Sequence, residues 1–249
     1  MKIKNLILTA SFAVVAFAAN AQDNVVKLGL PGFAFGQANV YYERMLTPRM
    51  SVNVQLGYSW GADISSQVKT QSDNRGASTS NNPSSINLTT GKFDGGFQVA
   101  PELRFYTGDK EGPRGFYIGP RLNYSSFTAT LKGTHTYGSP AKTSDDKVVL
   151  NYNNIGLGVQ MGYQWLINDQ ISIDWGFLGA GAGLGTITGT GTTDDTAELT
   201  RWTADANDFA ASNAALKFLG VNKDGNSLTV KGSNVFPTFR SSLTIGYAF

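Results

Sequence analysis

Six charged residues fall where an alternating strand pattern turns them toward a barrel lumen: Glu43, Glu102, Arg104, Arg121, Asp174 and Arg240. Three carboxylates facing three guanidinium groups can neutralise one another as a salt-bridged plug, or exchange partners along an ion pathway. Catalysis has less to work with. General acid–base or nucleophilic chemistry of the hydrolase kind needs a positioned His beside Ser or carboxylates, and the one His of the chain is His135, in the polar segment Thr134-His-Thr-Tyr-Gly138. The expectation is no catalytic residue and no enzyme. Asp145-Asp146, Asp194-Asp195 and Asp224-Gly-Asn226 lack the spacing of a helix–loop–helix calcium site, so no metal ligand is expected. With no Cys, disulfides and the usual zinc sites are excluded, and no cofactor is expected.

The elements that must position these residues are strands. Outer-membrane strands read as segments of about ten residues that alternate outward-apolar with inward-polar. In Ser51 to Trp60, Val52, Val54, Leu56, Tyr58 and Trp60 share one face. Phe97, Val99, Pro101, Leu103 and Phe105 oppose Gln98, Ala100, Glu102 and Arg104. Phe116, Ile118, Pro120, Leu122 and Tyr124 oppose Tyr117, Gly119, Arg121 and Asn123, and the odd-numbered residues from Ile155 to Trp165 oppose the Gly- and Gln-bearing even ones. Pro101 and Pro120 cannot donate to a ladder, so each implies a bulge or a lost bond.

Three further strands are less regular. Gln37 to Leu46 puts Asn39, Tyr41 and Glu43 inward, with Arg44 outward near a strand end, where it can snorkel. Ile171, Ile173, Trp175 and Phe177 oppose Ser172, Asp174 and Gly176, after which Gly179 to Gly183 blurs the phase as a bulge would. Thr238 to Phe249 forms the last. Connections alternate short (47–49, 108–114, 168–169) with long (61–91, 133–147, 189–234). Short periplasmic turns and long external loops are the barrel pattern, and parity then demands an ascending strand before residue 37. Val25 to Leu30 is the candidate, which makes eight. Loop 61–91 is polar and low in apolar content. Loop 189–234 carries Leu199, Trp202, Ala206, Phe209, Ala210 and Leu216 at near-helical spacing over 195–219, followed by the strand-like Ser227 to Lys231.

The two ends complete the frame. Lys2 and Lys4, an apolar stretch from Leu6 to Ala19 and Ala19-Asn-Ala21 read as a cleaved secretory signal over 1–21, leaving 22–249 as one domain. Removing Lys2 and Lys4 leaves 18 basic and 18 acidic residues. That balance offers nothing to a polyanion, so no nucleic-acid partner is expected. At the other end Phe239, Leu243, Ile245, Tyr247 and Phe249 alternate with Arg240, Ser242, Thr244, Gly246 and Ala248.

This ending resembles the closing strand of a bacterial outer-membrane β-barrel, in which the terminal aromatic is the assembly signal. Val26 to Gly36, Tyr42-Glu-Arg44 with Pro48, Pro101 to Tyr106, Gly115 to Gly119 and Leu243 to Phe249 resemble small Bacteroidetes-type outer-membrane barrel proteins of unknown function. The architecture is similar to the eight-stranded OmpA and OmpX type. The resemblance implies Tyr247 and Phe249 as an assembly signal read by the barrel-assembly machinery, outer-membrane lipid around the barrel, and a cell-envelope location.

The resulting expectation is an all-β, eight-stranded antiparallel up-and-down transmembrane barrel with long extracellular loops and one loop helix. Its outward aromatics, Tyr42, Phe105, Phe116, Trp165, Tyr247 and Phe249 at one end and Trp60 and Tyr124 at the other, form interfacial girdles. An eight-stranded lumen is just wide enough for side chains to fill. The charge cluster therefore reads first as a structural plug and the protein as a scaffold, with surface partners at loops 61–91 and 189–234. A narrow channel for ions or small solutes is the alternative, and an envelope-lipid enzyme the more distant third.

Overall fold

The computed structural model describes residues 23–66, 85–108, 111–137, 142–192, 199–200, 203, 207, 218–225 and 227–249. Within them run β1 (Asn24–Gly29), α1 (Pro31–Ala34), β2 (Gln37–Thr47), β3 (Met50–Asp63), β4 (Ser85–Tyr106), β5 (Gly115–Tyr137), β6 (Lys142–Ile167), β7 (Ile171–Thr192), β8 (Gly220–Asp224) and β9 (Ser227–Ala248). Each strand from β1 to β7 pairs antiparallel with the next, β7 pairs with β9, and β9 returns to β1. Eight strands thus close a ring. β8 is a ninth, paired only with the far end of β9 over Ser227 to Lys231.

The seam is short, as is the β1–β2 pairing beside it. Val25 pairs with Ala248, Leu28 with Ile245 and Gly29 with Thr244, and the Leu30 amide donates to the Leu243 carbonyl at 2.9 Å. Asn24 and Phe249 exchange backbone bonds of 3.1 and 2.9 Å at the end where both termini and the short turns lie.

The pleat explains the alternation. Leu56, Tyr58, Ile155, Leu157, Val159, Trp175 and Ile245 are exposed on the outside, while Glu43, Asn53, Gln164 and Tyr117 are buried within. This is a soluble core turned inside out, since the polar side chains are the sequestered ones and the apolar ones cover the exterior. The aromatics Tyr42, Trp60, Phe105, Tyr124, Trp165 and Tyr247 all face outward and are exposed.

Pro101 and Pro120 need no bulge. Each keeps its place opposite Val54 and Val159, and the β4–β5 register is unchanged between Val99↔Tyr124 and Phe105↔Ile118. The missing donors of both prolines fall on this single β4–β5 seam. The bulge anticipated over Gly179 to Gly183 lies just before that stretch: register shifts between Gly176 and Gly179, and Phe177 and Leu178 both face outward, while Gly179 to Gly183 pair without interruption.

The wall is uneven. β1, β2 and β3 span 6, 11 and 14 residues, whereas β4 to β7 and β9 span 22 to 26. Crossing a bilayer takes about 9–11 tilted residues, so five strands stand well clear of the apolar belt. This corrects the loop boundaries. Residues 133–147 are not a long loop, for β5 and β6 stay paired to Tyr137↔Lys142, and His135 is a strand residue opposite Ser144. Residues 61–63 and 85–91 are strand, as are most of 189–192 and 220–234. The reason is physical. Above the belt the exterior no longer has to be apolar, so the alternation that marks a strand vanishes, and β-branched Thr128, Thr130, Thr134, Thr188 and Thr190 keep the pleat without it. Of the helix expected over 195–219, Leu199, Thr200, Thr203 and Asn207 are helical, with the Thr203 hydroxyl donating to the Leu199 carbonyl at 2.7 Å. Phe218 and Leu219 at its end are turn and irregular and not helix; the remainder of it lies outside the described residues, as do the signal segment 1–21 and residues 67–84 of the first long loop.

Candidate functional site

Inside the half of the barrel nearest the termini, strand register stacks charged residues at one level. Lys27 on β1 and Glu43 on β2 point inward, as do Glu102 and Arg104 on β4, Gln164 on β6 and Asp174 on β7. The Lys27 ammonium is the hub. Its Nζ lies 2.5 Å from Glu43 Oε2, 2.7 Å from Asp174 Oδ2 and 3.0 Å from Gln164 Oε1, so three protons meet three acceptors. Arg104 adds a second hub. Its Nη1 donates to Asp174 Oδ2 at 2.7 Å and to Gln164 Oε1 at 3.1 Å, and its Nε donates to Glu102 Oε1 at 2.7 Å.

Hydroxyls complete the carboxylates. Ser51 and Tyr106 lie 2.5 and 2.6 Å from Glu43 Oε1, and Tyr117 donates to Asp174 Oδ1 at 2.8 Å. The Arg104 guanidinium also sits 4.0 Å from the centre of the Tyr117 ring. Below, Met45, Tyr106 and Tyr117 form an apolar floor. Room for that ring comes from Gly162 on β6, where a Cβ would collide with the Tyr117 phenol and lie 2.7 Å from the Trp175 carbonyl. Buried ions are costly unless paired and hydrogen-bonded. Here each carboxylate has at least one cation and the lumen at this level is filled, with Lys27, Glu43 and Gln164 at 0% exposure.

Of the six residues expected in the lumen, the structure brings Glu43, Glu102, Arg104 and Asp174 into this network, and it places Arg121 and Arg240 elsewhere. The expected three-to-three pairing is corrected on two counts. Lys27 is a fourth base and the best-coordinated one. Arg121 and Arg240 form no ion pair among the described residues; Arg240 Nη2 donates instead to the Tyr41 hydroxyl at 2.9 Å. The sequence carries a signal for Lys27, since Val26, Leu28 and Leu30 facing outward leave it facing in. Strand parity alone passes over that polar face.

Above the network lies a polar cavity of about 460 Å³. Its wall includes Arg121, Arg240, Gln55, Gln98, Asn123 and Asn154, and its rim includes Pro31 and Phe35 from the β1–β2 connection. α1 folds against the rim with Phe33 packed near Trp60 at 6.5 Å, and Gly36, at φ 72°, returns the chain into β2. The outer aromatics surround the barrel without approaching this cavity as stacking ligands. Among the described residues no group of three or more His, Asp or Glu is arranged to hold a metal. The His135 side chain lies outside the described atoms.

No curated protein matches the chain. Among solved structures, a major outer membrane protein from Thermus thermophilus is similar at 14% identity and a TM-score of 0.32, over 92% of this chain and 100% of that one. A family described as protein of unknown function, DUF3575, matches residues 6–190. That match spans most of the sequence, and the chain belongs to this DUF3575 family.

Proposed function

We propose that the protein is an integral outer-membrane β-barrel, closed to bulk solute flow, that serves as a rigid scaffold carrying its five tall strands and their connections outside the cell. The membrane placement is supported by the apolar exterior between two aromatic levels, from Tyr163 and Phe116 at one end to Ile155 and Tyr124 at the other. In lipid every backbone group must be satisfied internally, and a closed barrel does so. The termini and short turns would face the periplasm, as barrels of this kind arrange them.

The scaffold reading over the channel rests on one observation: the lumen level of Lys27, Glu43, Arg104 and Asp174 is packed with side chains bonded to one another. A conducting path would require those bonds to open together. Tyr247 and Phe249 at the closing strand would carry the assembly signal. Outer-membrane fractionation with heat-modifiable gel migration tests the placement, and conductance tests the closure. Recovery in the soluble periplasmic fraction would sink the first, and a large steady current the second.

A further inference from the structure

The charge in the lumen is unevenly divided. The lower network holds Lys27 and Arg104 against Glu43, Glu102 and Asp174, one negative charge in excess. The level above holds Arg121 and Arg240, with no carboxylate in the cavity wall among the described residues. Arg121 is 5% exposed, yet among the described residues its Nε has no hydrogen-bond partner, and neither has Arg240 Nη1. Glu102 sits across the ladder from Arg121 but spends its Oε1 on Arg104 Nε at 2.7 Å.

The amides around the arginines are ordered to donate. Gln98 Nε2 donates to Asn123 Oδ1 at 2.8 Å, and Asn123 Nδ2 donates to Asn154 Oδ1 at 3.2 Å. The series ends on Asn154 Nδ2, which is buried and has no partner. Glycines on the adjacent strand β7 make room for these side chains: a Cβ at Gly183 would stand 2.6 Å from that nitrogen, and one at Gly179 would stand 3.2 Å from the Arg240 Cβ. Two guanidinium groups and a terminal amide, each with a buried unsatisfied donor, therefore share one walled space with no acid among the described residues, and Gln55 Oε1 is the one buried acceptor in that wall without a partner. An uncompensated buried donor costs free energy that an acceptor would recover, and planar guanidinium groups suit oxygen pairs.

We propose that this cavity is a binding site for a small oxyanion, a carboxylate or a phosphate group, held by Arg121, Arg240 and Asn154. One monoanion would also bring the seven lumen charges to neutrality. The site uses the packed network as its floor but does not depend on the scaffold role, and binding is measured apart from conductance.

The test is titration calorimetry on refolded full-length protein in detergent at low ionic strength, with inorganic phosphate and, separately, benzoate. Saturable one-to-one binding of either probe is expected, and which of the two binds tells phosphate from carboxylate. Arg121→Gln and Arg240→Gln should each weaken binding about tenfold or more. Asn154→Asp, which sets a carboxylate in the donor's place, should weaken it as well. Heat-modifiable migration verifies that each variant is folded, and Asn53→Ser, a change in the same lumen away from the cavity, serves as the control that should bind normally. The proposal is overturned if neither probe saturates at millimolar concentration, or if folded arginine variants bind as the parent does.

Discussion

Lys27 on β1 and Asp174 on β7 meet at 2.7 Å across the mouth of β9, joining the first strand of the barrel to the penultimate one inside the lumen. The seam between β1 and β9 contributes only five paired positions, as does the β1–β2 pairing, so this ion pair is a second fastening for the shortest strand of the ring. The same ammonium holds Glu43 on β2, and one side chain thus ties three strands together.

Replacing Lys27 by Met should therefore be more harmful than its single charge suggests. Glu43 and Asp174 would remain buried with one cation between them, and breaking such a pair costs on the order of 3–5 kcal/mol. Urea unfolding in lipid vesicles measures it. Adding Glu43→Gln to Lys27→Met should recover part of the loss, and additive effects of the two changes would argue against the coupling.

The apolar exterior gives a separate prediction. Val159 lies opposite Pro120, midway between the aromatic levels, and faces outward at 46% exposure. Val159→Arg should cost about 2–4 kcal/mol in a bilayer. The same change at Thr190, on the extension of β7 beyond the belt, should cost far less. Equal losses at the two positions in the vesicle unfolding assay would place the belt wrongly.

A tight fit at the floor predicts that Gly162→Ala destabilises the barrel. The added methyl would occupy the space of the Tyr117 phenol and displace its bond to Asp174. Overpacking of this kind costs about 1–3 kcal/mol. The companion change Tyr117→Phe, which removes the hydroxyl, should relieve part of the penalty in the double variant.

Deleting Phe249 removes both backbone bonds to Asn24 and the terminal aromatic. The amount of folded protein reaching the outer membrane should fall several-fold by quantitative immunoblotting, while refolding into detergent proceeds. A parallel loss in detergent would show that the residue serves stability and not assembly.

Much of the barrel was legible because a bilayer enforces period-2 alternation. Val52 to Trp60 and Ile155 to Trp165 could hardly be anything else, and the parity of short and long connections pointed to Val25–Leu30 as the partner of the last strand. The alternation fails where the bilayer ends. Thr134 to Tyr137 continues β5 without an apolar alternation, so only backbone pairing revealed it, whereas the strand-like Ser227 to Lys231 was legible and forms the end of β9 that pairs with β8. The inward charges were legible one strand at a time, but their partners were not. Whether Arg121 meets Glu102 or Arg240 depends on register across the lumen, to which each strand's own pattern is blind. Lys27 was visible by phase and became the hub only when β1, β2 and β7 were brought around it.

Closure of the lumen at the level of Lys27, Glu43, Arg104 and Asp174 separates a scaffold from a channel, and planar-bilayer recording of refolded full-length protein measures it. No steady conductance above the bare membrane is expected in the parent, with leak currents only when the Lys27 side chain is shortened. A large, steady, ohmic conductance in the parent protein would contradict closure.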